Sequence, residues 1–204
     1  MCMSEFDWAQ KYRPKSFDEV ILSDEMRRKL NRVVNQRGGI SMLFWGRPGC
    51  GKTTVAKLIN RDNTVLINCS TNNSIDTIRW IESNFRTRTL TGQRRLLLLD
   101  EADNLSADAQ AAIRGVSEAL SEYNDFVLTA NDPNKLTEAV RSRFLPVEFN
   151  LDLEETRLLV RNRLCEIATI EGFSNVDDSV IERAIKFYPD LRRMTKALQF
   201  ELTE

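Results

Sequence analysis

Two hydrophobic periods alternate along this chain. Short, nearly continuous apolar runs lie at residues 40–45, 64–69, 96–99, 126–130 and 146–149. Between them, apolar positions recur every three or four residues, the spacing of an amphipathic helix. Continuous apolar runs read as strands buried on both faces, and their alternation with helices reads as parallel βαβ units. The pattern predicts an α/β domain over residues 1–150, with a five-stranded parallel sheet flanked by helices. Ahead of the first strand, Ser23 followed by Met26, Leu30 and Val33 predicts a capped amphipathic helix closed by Gly38-Gly39. Pro14 pushes Arg13 out of the helical region, so no helix runs through that point.

After Asn150 the strand pattern stops. Leu153, Leu158-Leu159 and Leu164 carry helical spacing, as do Val180-Ile181 with Ala184-Ile185, and Leu191 with Met194 and Leu198. Gly172 and Pro189 separate the three groups. The expectation is a small three-helix lid over residues 151–204.

Composition narrows the chemistry. The chain has 204 residues, 42% apolar and 29% charged, with a net charge of -1. At roughly 150 residues per domain this is one main domain with a small appendage. There is no histidine. That excludes Ser-His-Asp hydrolysis, Cys-His proteolysis and His-ligated zinc. Cys2, Cys50, Cys69 and Cys165 are scattered without CxxC spacing, as free thiols in a reducing compartment would be. The N-terminus (Ser4, Glu5, Asp7, Trp8) lacks a signal-peptide layout, and no apolar run is long enough to span a membrane. The expectation is a cytoplasmic protein with no membrane partner.

Gly46-Arg47-Pro48-Gly49-Cys50-Gly51-Lys52-Thr53 matches GxxxxGK[ST] at every fixed position, between a predicted strand and a predicted helix. Glycines let the backbone wrap close to phosphate, and the freed N–H groups face the anion. Lys52 supplies a point charge for the β/γ oxygens of ATP, and the Thr53 hydroxyl reaches Mg²⁺. Thr54 continues the helix and is a further candidate for nucleotide binding. Leu96-Leu97-Leu98-Leu99-Asp100-Glu101 is the second half of the site. Four buried leucines put Asp100 at the strand's C-terminal tip, where open parallel sheets hold ligands. Asp100 would order Mg²⁺ through water, and Glu101 would orient and polarise the attacking water. Ala102-Asp103 completes the letters of a DEAD-box helicase, but the chain is too short for the two tandem domains such an enzyme needs.

These residues carry a resemblance to the AAA+ ATPases, and within them to sliding-clamp loader subunits of the replication factor C small-subunit type and the phage clamp-loader large subunit. The resemblance covers nearly the whole chain. Trp8-Ala9-Gln10-Lys11-Tyr12-Arg13-Pro14 and Phe17-Asp18-Glu19-Val20-Ile21 resemble the family's N-terminal box, which implies an adenine pocket from Tyr12, Arg13, Pro14, Val20 and Ile21. Asp100-Glu101-Ala102-Asp103-Asn104-Leu105 is similar to the family's DEADxL segment. Phe126-Val127-Leu128-Thr129-Ala130-Asn131 is similar to its sensor-1 strand, which implies that Asn131 meets the γ-phosphate or the water. Arg141-Ser142-Arg143-Phe144 resembles its Ser-Arg-Cys motif, with Phe144 for Cys. By that match Arg143 is an arginine finger for a neighbouring subunit's ATP. Pro189-Asp190-Leu191-Arg192-Arg193-Met194 resembles its sensor-2 segment, with Pro for Gly, which implies that Arg192 reaches the γ-phosphate.

Two further helices resemble the family's DNA-tracking elements and point to Arg79 and Arg114, although the arginine that usually follows the latter is Gly115 here. Residues 76–99 hold five arginines against two acids, a patch suited to sequence-independent backbone binding. The resemblance implies a motor that loads a ring clamp on primer-template DNA, with neighbouring AAA+ subunits, ATP and Mg²⁺. The family's zinc module has no counterpart here, and its C-terminal collar has none up to Glu204. Two other readings stay open. One is a different AAA+ DNA motor, such as a helicase loader or a branch-migration ATPase. The other is a non-hydrolysing, ATP-binding scaffold subunit.

Overall fold

The structure, a computed structural model, describes residues 7–35, 39–60, 62–152, 154–173 and 175–203. Cys2, Ser4, Glu5, Gly38 and Leu153 of the reading above lie outside the described residues. The chain forms two compact units. One combines the chain up to Ser23, Arg47–Thr54 and Phe149 onward. The other combines Asp24–Gly46 with Val55–Glu148.

The second unit contains most of the sheet. Strands β1 (Ser41–Gly46), β2 (Thr64–Asn68), β3 (Arg95–Asp100), β4 (Asn124–Ala130) and β5 (Leu145–Phe149) form a five-stranded parallel sheet in the order β2-β3-β4-β1-β5. The apolar runs set which strands are central. Leu96, Leu97, Leu98 and Leu99 have no exposed surface, and all seven residues of β4 are buried. The edges differ from expectation. Residues 64–69 read as a strand buried on both faces, yet β2 is an edge strand and Leu66 is 45% exposed. β5 is the other edge, with Leu145 and Glu148 exposed. An apolar run does not say whether a strand has one neighbour or two.

Helices α2 (Asp24–Asn35), α4 (Ile75–Asn84), α5 (Ala107–Ala119) and α6 (Glu138–Arg141) belong to this unit, and α3 (Lys52–Ile59) runs from one unit into the other. Asp24 and Glu25 open α2, and Glu25 pairs with Lys29 one turn on. Ser106 caps α5 by accepting from the Ala109 N–H at 3.2 Å. Ile78 and Ile81 of α4 and Ala109, Ile113 and Val116 of α5 pack with Leu97 and Leu99 of β3 and with Phe126 and Phe144 into one core.

Arg94, one of the five patch arginines, is built into this fold. It donates to Asp125 from Nε (3.1 Å) and Nη2 (2.9 Å), and to the carbonyls of Ser121, Glu122 and Asn124. Asp125 also accepts the Ile40 N–H at 3.0 Å. Truncating Arg94 strands a buried carboxylate, so Arg94→Ala is expected to lower unfolding stability by about 3 kcal/mol. Denaturant titration of the variant checks this.

In the first unit, α7 (Glu154–Ile170), α8 (Asp178–Phe187) and α9 (Leu191–Thr203) form the expected three-helix group. Val160, Leu164, Ile181, Ala184, Met194 and Leu198 make its core. A four-residue helix, α1 (Trp8–Lys11), stops short of Pro14 and joins this core. Trp8 packs on Phe173 with ring centroids 6.2 Å apart and donates its backbone N–H to Gln199 Oε1. No helix among the described residues is long and apolar enough to cross a membrane.

Candidate active site

Strand register assembles half of the site. Asn68 stands opposite Asp100, Leu99 opposite Leu128, and Trp45 opposite Ala130. Gly46, Asp100 and Asn131 therefore reach the same C-terminal edge of the sheet, where open parallel sheets bind ligands.

The turn after β3 is tightly specified. Thr129, 1% exposed, donates its hydroxyl to Asp100 Oδ1 at 2.6 Å and accepts the Glu101 N–H at 3.0 Å. Glu101 has φ of 57°, the only positive φ at a non-glycine among the described residues. Such a conformation costs about 1–3 kcal/mol and persists only where neighbours hold it. Thr129 holds its amide, and the Ser70 hydroxyl from the turn after β2 donates to its carboxylate. Asp103 accepts the N–H groups of Asn131 (3.2 Å) and Asp132 (3.3 Å), tying the end of β4 to the same turn. Burial, with Asp100, Asp103 and Glu101 nearby, pushes the Cys69 thiol up to about 12, so it stays protonated and unreactive.

The glycine-rich loop lies in the other unit. Gly49 (φ 77°) and Gly51 (φ 100°) take left-handed conformations, which lets the loop curl ahead of α3. Lys52, 7% exposed, donates to the Arg47 carbonyl at 2.9 Å and lies 3.8 Å from Cys50 Sγ. Cys50 is buried and its thiol is pushed up by desolvation. Thr53 follows Lys52 in the first turn of α3, and Pro48 is exposed. Arg13 Nε donates to Thr54 Oγ1 at 3.1 Å, which joins the N-terminal box to this loop. Tyr12 and Lys11 both donate to Glu171 at 2.6 Å. Pro14 is half-buried, and Val20 and Ile21 are buried.

The candidate arginines fall into distinct settings. Arg143 Nε is buried with no hydrogen-bond partner among the described residues. Phe144, where the family has Cys, fills a core position at 1% exposure. Arg192 is exposed in the first turn of α9, while its neighbour Arg193 pairs back to Asp190 at 3.6 Å. Arg79 is exposed on α4 and pairs with Asp76; Arg114 is exposed on α5. In the arginine patch, Arg86 pairs with Glu82, Arg88 with Glu122, and Arg95 donates to the Thr87 carbonyl. Each patch arginine thus has a partner in its own unit.

The structure thus groups Gly46, Asp100, Glu101, Asn131 and Arg143 in one unit, and the N-terminal box, Pro48 to Thr54 and Arg192 in the other. Sequence reasoning missed Thr129, Ser70, Asp103 and Asp190. Thr129 reads as an ordinary strand residue. Only the alternation of a polar position inside a fully buried strand marks it.

Residues 42–151 match the family described as ATPase family associated with various cellular activities (AAA). The chain belongs to the AAA ATPase family. Curated relatives include Replication factor C small subunit 2 of Pyrobaculum islandicum, 36% identical over 97% of this chain. Replication factor C small subunit of Thermofilum pendens is likewise 36% identical over 97%. This chain spans 64% and 63% of their respective lengths. Among solved structures, the Thermotoga maritima RuvB Holliday junction branch migration motor superposes with a TM-score of 0.69 at 22% identity, covering 94% of this chain and 64% of that one. A DNA polymerase III gamma subunit-related protein of Thermotoga maritima gives 0.57 at 17%, covering 87% and 70%. At such identities the likeness is one of fold, and it agrees with the α/β sheet and C-terminal helices of this AAA protein.

Proposed function

We propose that this chain is an ATPase subunit of a sliding-clamp loader, which binds and hydrolyses ATP to place a ring clamp on primer-template DNA. The observation that carries the reading is 36% identity along nearly the whole chain to relatives named Replication factor C small subunit. The proposal divides the chain into a nucleotide-binding domain over 1–150 and a lid over 151–204.

Each residue then has one task. Tyr12, Arg13, Pro14, Val20 and Ile21 enclose adenine. The backbone of Gly46, Pro48, Gly49, Cys50 and Gly51 wraps the phosphates, and Lys52 neutralises the β/γ oxygens. The Thr53 hydroxyl and the Asp100 carboxylate are hard oxygen donors of the kind Mg²⁺ selects, and among the described residues no cluster of three acidic, Cys or His side chains forms an all-protein cage. Mg²⁺ at such a site would be held mostly by phosphate and water. Such an ion offsets charge on the transferring phosphoryl group. Glu101 takes a proton from the attacking water, and Asn131 meets the γ-phosphate or that water. Arg192 contacts the γ-phosphate from α9, and Arg143 completes the site of a neighbouring subunit. Arg79 and Arg114 follow the DNA backbone.

ATP turnover measured against protein concentration, with and without primed DNA, tests this. The rate per subunit is expected to rise with concentration and again with primed DNA. A rate indifferent to both sinks the proposal. Tight ATP binding with no turnover in any mixture favours a scaffold subunit instead.

A further inference from the structure

Asp190 is a carboxylate with three engagements and 6% exposure. Its Oδ1 accepts the Arg193 N–H at 2.9 Å and its carbonyl accepts the Met194 N–H at 2.9 Å, so it caps the N-terminus of α9. Its Oδ2 lies 3.6 Å from Arg193 Nε. Its third contact is with the phosphate loop. A Cβ on Gly49 would lie 2.5 Å from Asp190 Oδ1 and 2.8 Å from both Cβ and Cγ. The carboxyl group is thus laid directly on the Gly49 backbone, and nothing larger than glycine fits there. Gly49 is needed for space as well as for its φ of 77°.

Two residues further on, Arg192 leaves the first turn of α9, exposed and with no partner among the described residues. Arg193 is tied back to the cap, so only one of the paired arginines is presented. The cap of the helix and the phosphate loop share one packed surface, and close-packed surfaces transmit small shifts instead of absorbing them.

We propose that Asp190 is a positioning residue: it seats the arginine-bearing end of α9 on Gly49, so that the state of the phosphate loop sets where Arg192 stands. This rests on the nucleotide-site reading given above. A capping role alone needs only a short oxygen acceptor, which serine supplies. Serine keeps a β carbon and one γ atom against Gly49 but lacks the outer oxygen, the atom that approaches closest; the carboxyl or amide group supplies it. The two roles therefore separate by substitution, and displacement of a positioned group by about 1 Å is enough to cost most of its effect.

The test compares wild type, Asp190→Ser, Asp190→Asn, Arg192→Ala and the Asp190→Ser/Arg192→Ala double variant. Each is titrated with fluorescent mant-ATPγS and mant-ADP, and each is melted. Asp190→Ser is expected to melt with wild type yet lose about tenfold of the preference for triphosphate over diphosphate. Arg192→Ala is expected to lose the same preference, and the double variant no more than either. Asp190→Asn keeps the preference. Asp190→Thr, which also caps, replaces the serine variant if that unfolds. Wild-type preference in Asp190→Ser, or losses that multiply in the double variant, overturns the proposal while leaving the nucleotide site standing. A wild-type chain that takes up neither nucleotide overturns the site reading itself, and the proposal with it.

Discussion

Replacing Arg143 with alanine is expected to lower ATP turnover of the assembled protein by about 10³-fold, the scale on which an arginine finger acts, while leaving ATP binding unchanged. The argument begins with charge. A guanidinium does not deprotonate in a protein, so a half-buried one needs an acceptor. Arg143 Nε is buried and has none among the described residues. Its backbone is fixed, because the Arg143 N–H donates to Val140 and Phe144 fills the core behind it. A side chain anchored this firmly, with its Nε unmatched among the described residues, suits the proposed role of meeting a charge from outside. Steady-state hydrolysis and a fluorescent-nucleotide titration on the same variant separate the two effects. An equal loss of binding and turnover would place Arg143 in its own chain's site and defeat the finger assignment.

The parts of this site that could be read from sequence share one property: their chemistry depends on spacing within a few residues. The phosphate loop needs its glycines and Lys52 at fixed intervals, and Asp100 follows directly from four buried leucines. The bridging residues depend on strand register instead. Thr129 meets Asp100 across 29 positions and Ser70 meets Glu101 across 31, and neither distance leaves a local trace. The edge position of β2 was equally hidden, because Thr64 to Asn68 is as apolar as a central strand. The arginine patch shows the reverse. Five arginines in one stretch read as a basic patch, yet Arg94 is engaged by Asp125 and three carbonyls. Local composition counts charges but not the partners that folding brings to them.

Glu101→Gln is expected to cut turnover by about 10²–10⁴-fold, the contribution of a positioned general base, and to leave ATP bound. Its backbone sits in a left-handed conformation held at the amide by Thr129 of β4, and its carboxylate is held by Ser70 from the turn after β2. Strain retained at a strand tip beside Asp100 marks a group whose direction matters. An amide of the same shape keeps that geometry and cannot take a proton, so the loss is chemical and not structural. The two inactive variants then test each other. A Glu101→Gln subunit still offers its Arg143, and an Arg143→Ala subunit still has its Glu101. Mixed, they are expected to regain part of the wild-type rate wherever the first stands beside the second. Each alone stays inactive at any concentration. Recovery in the mixture requires that one site be completed by two chains. Its absence, under conditions where wild-type turnover rises with concentration, would mean that Arg143 and Glu101 serve the same chain.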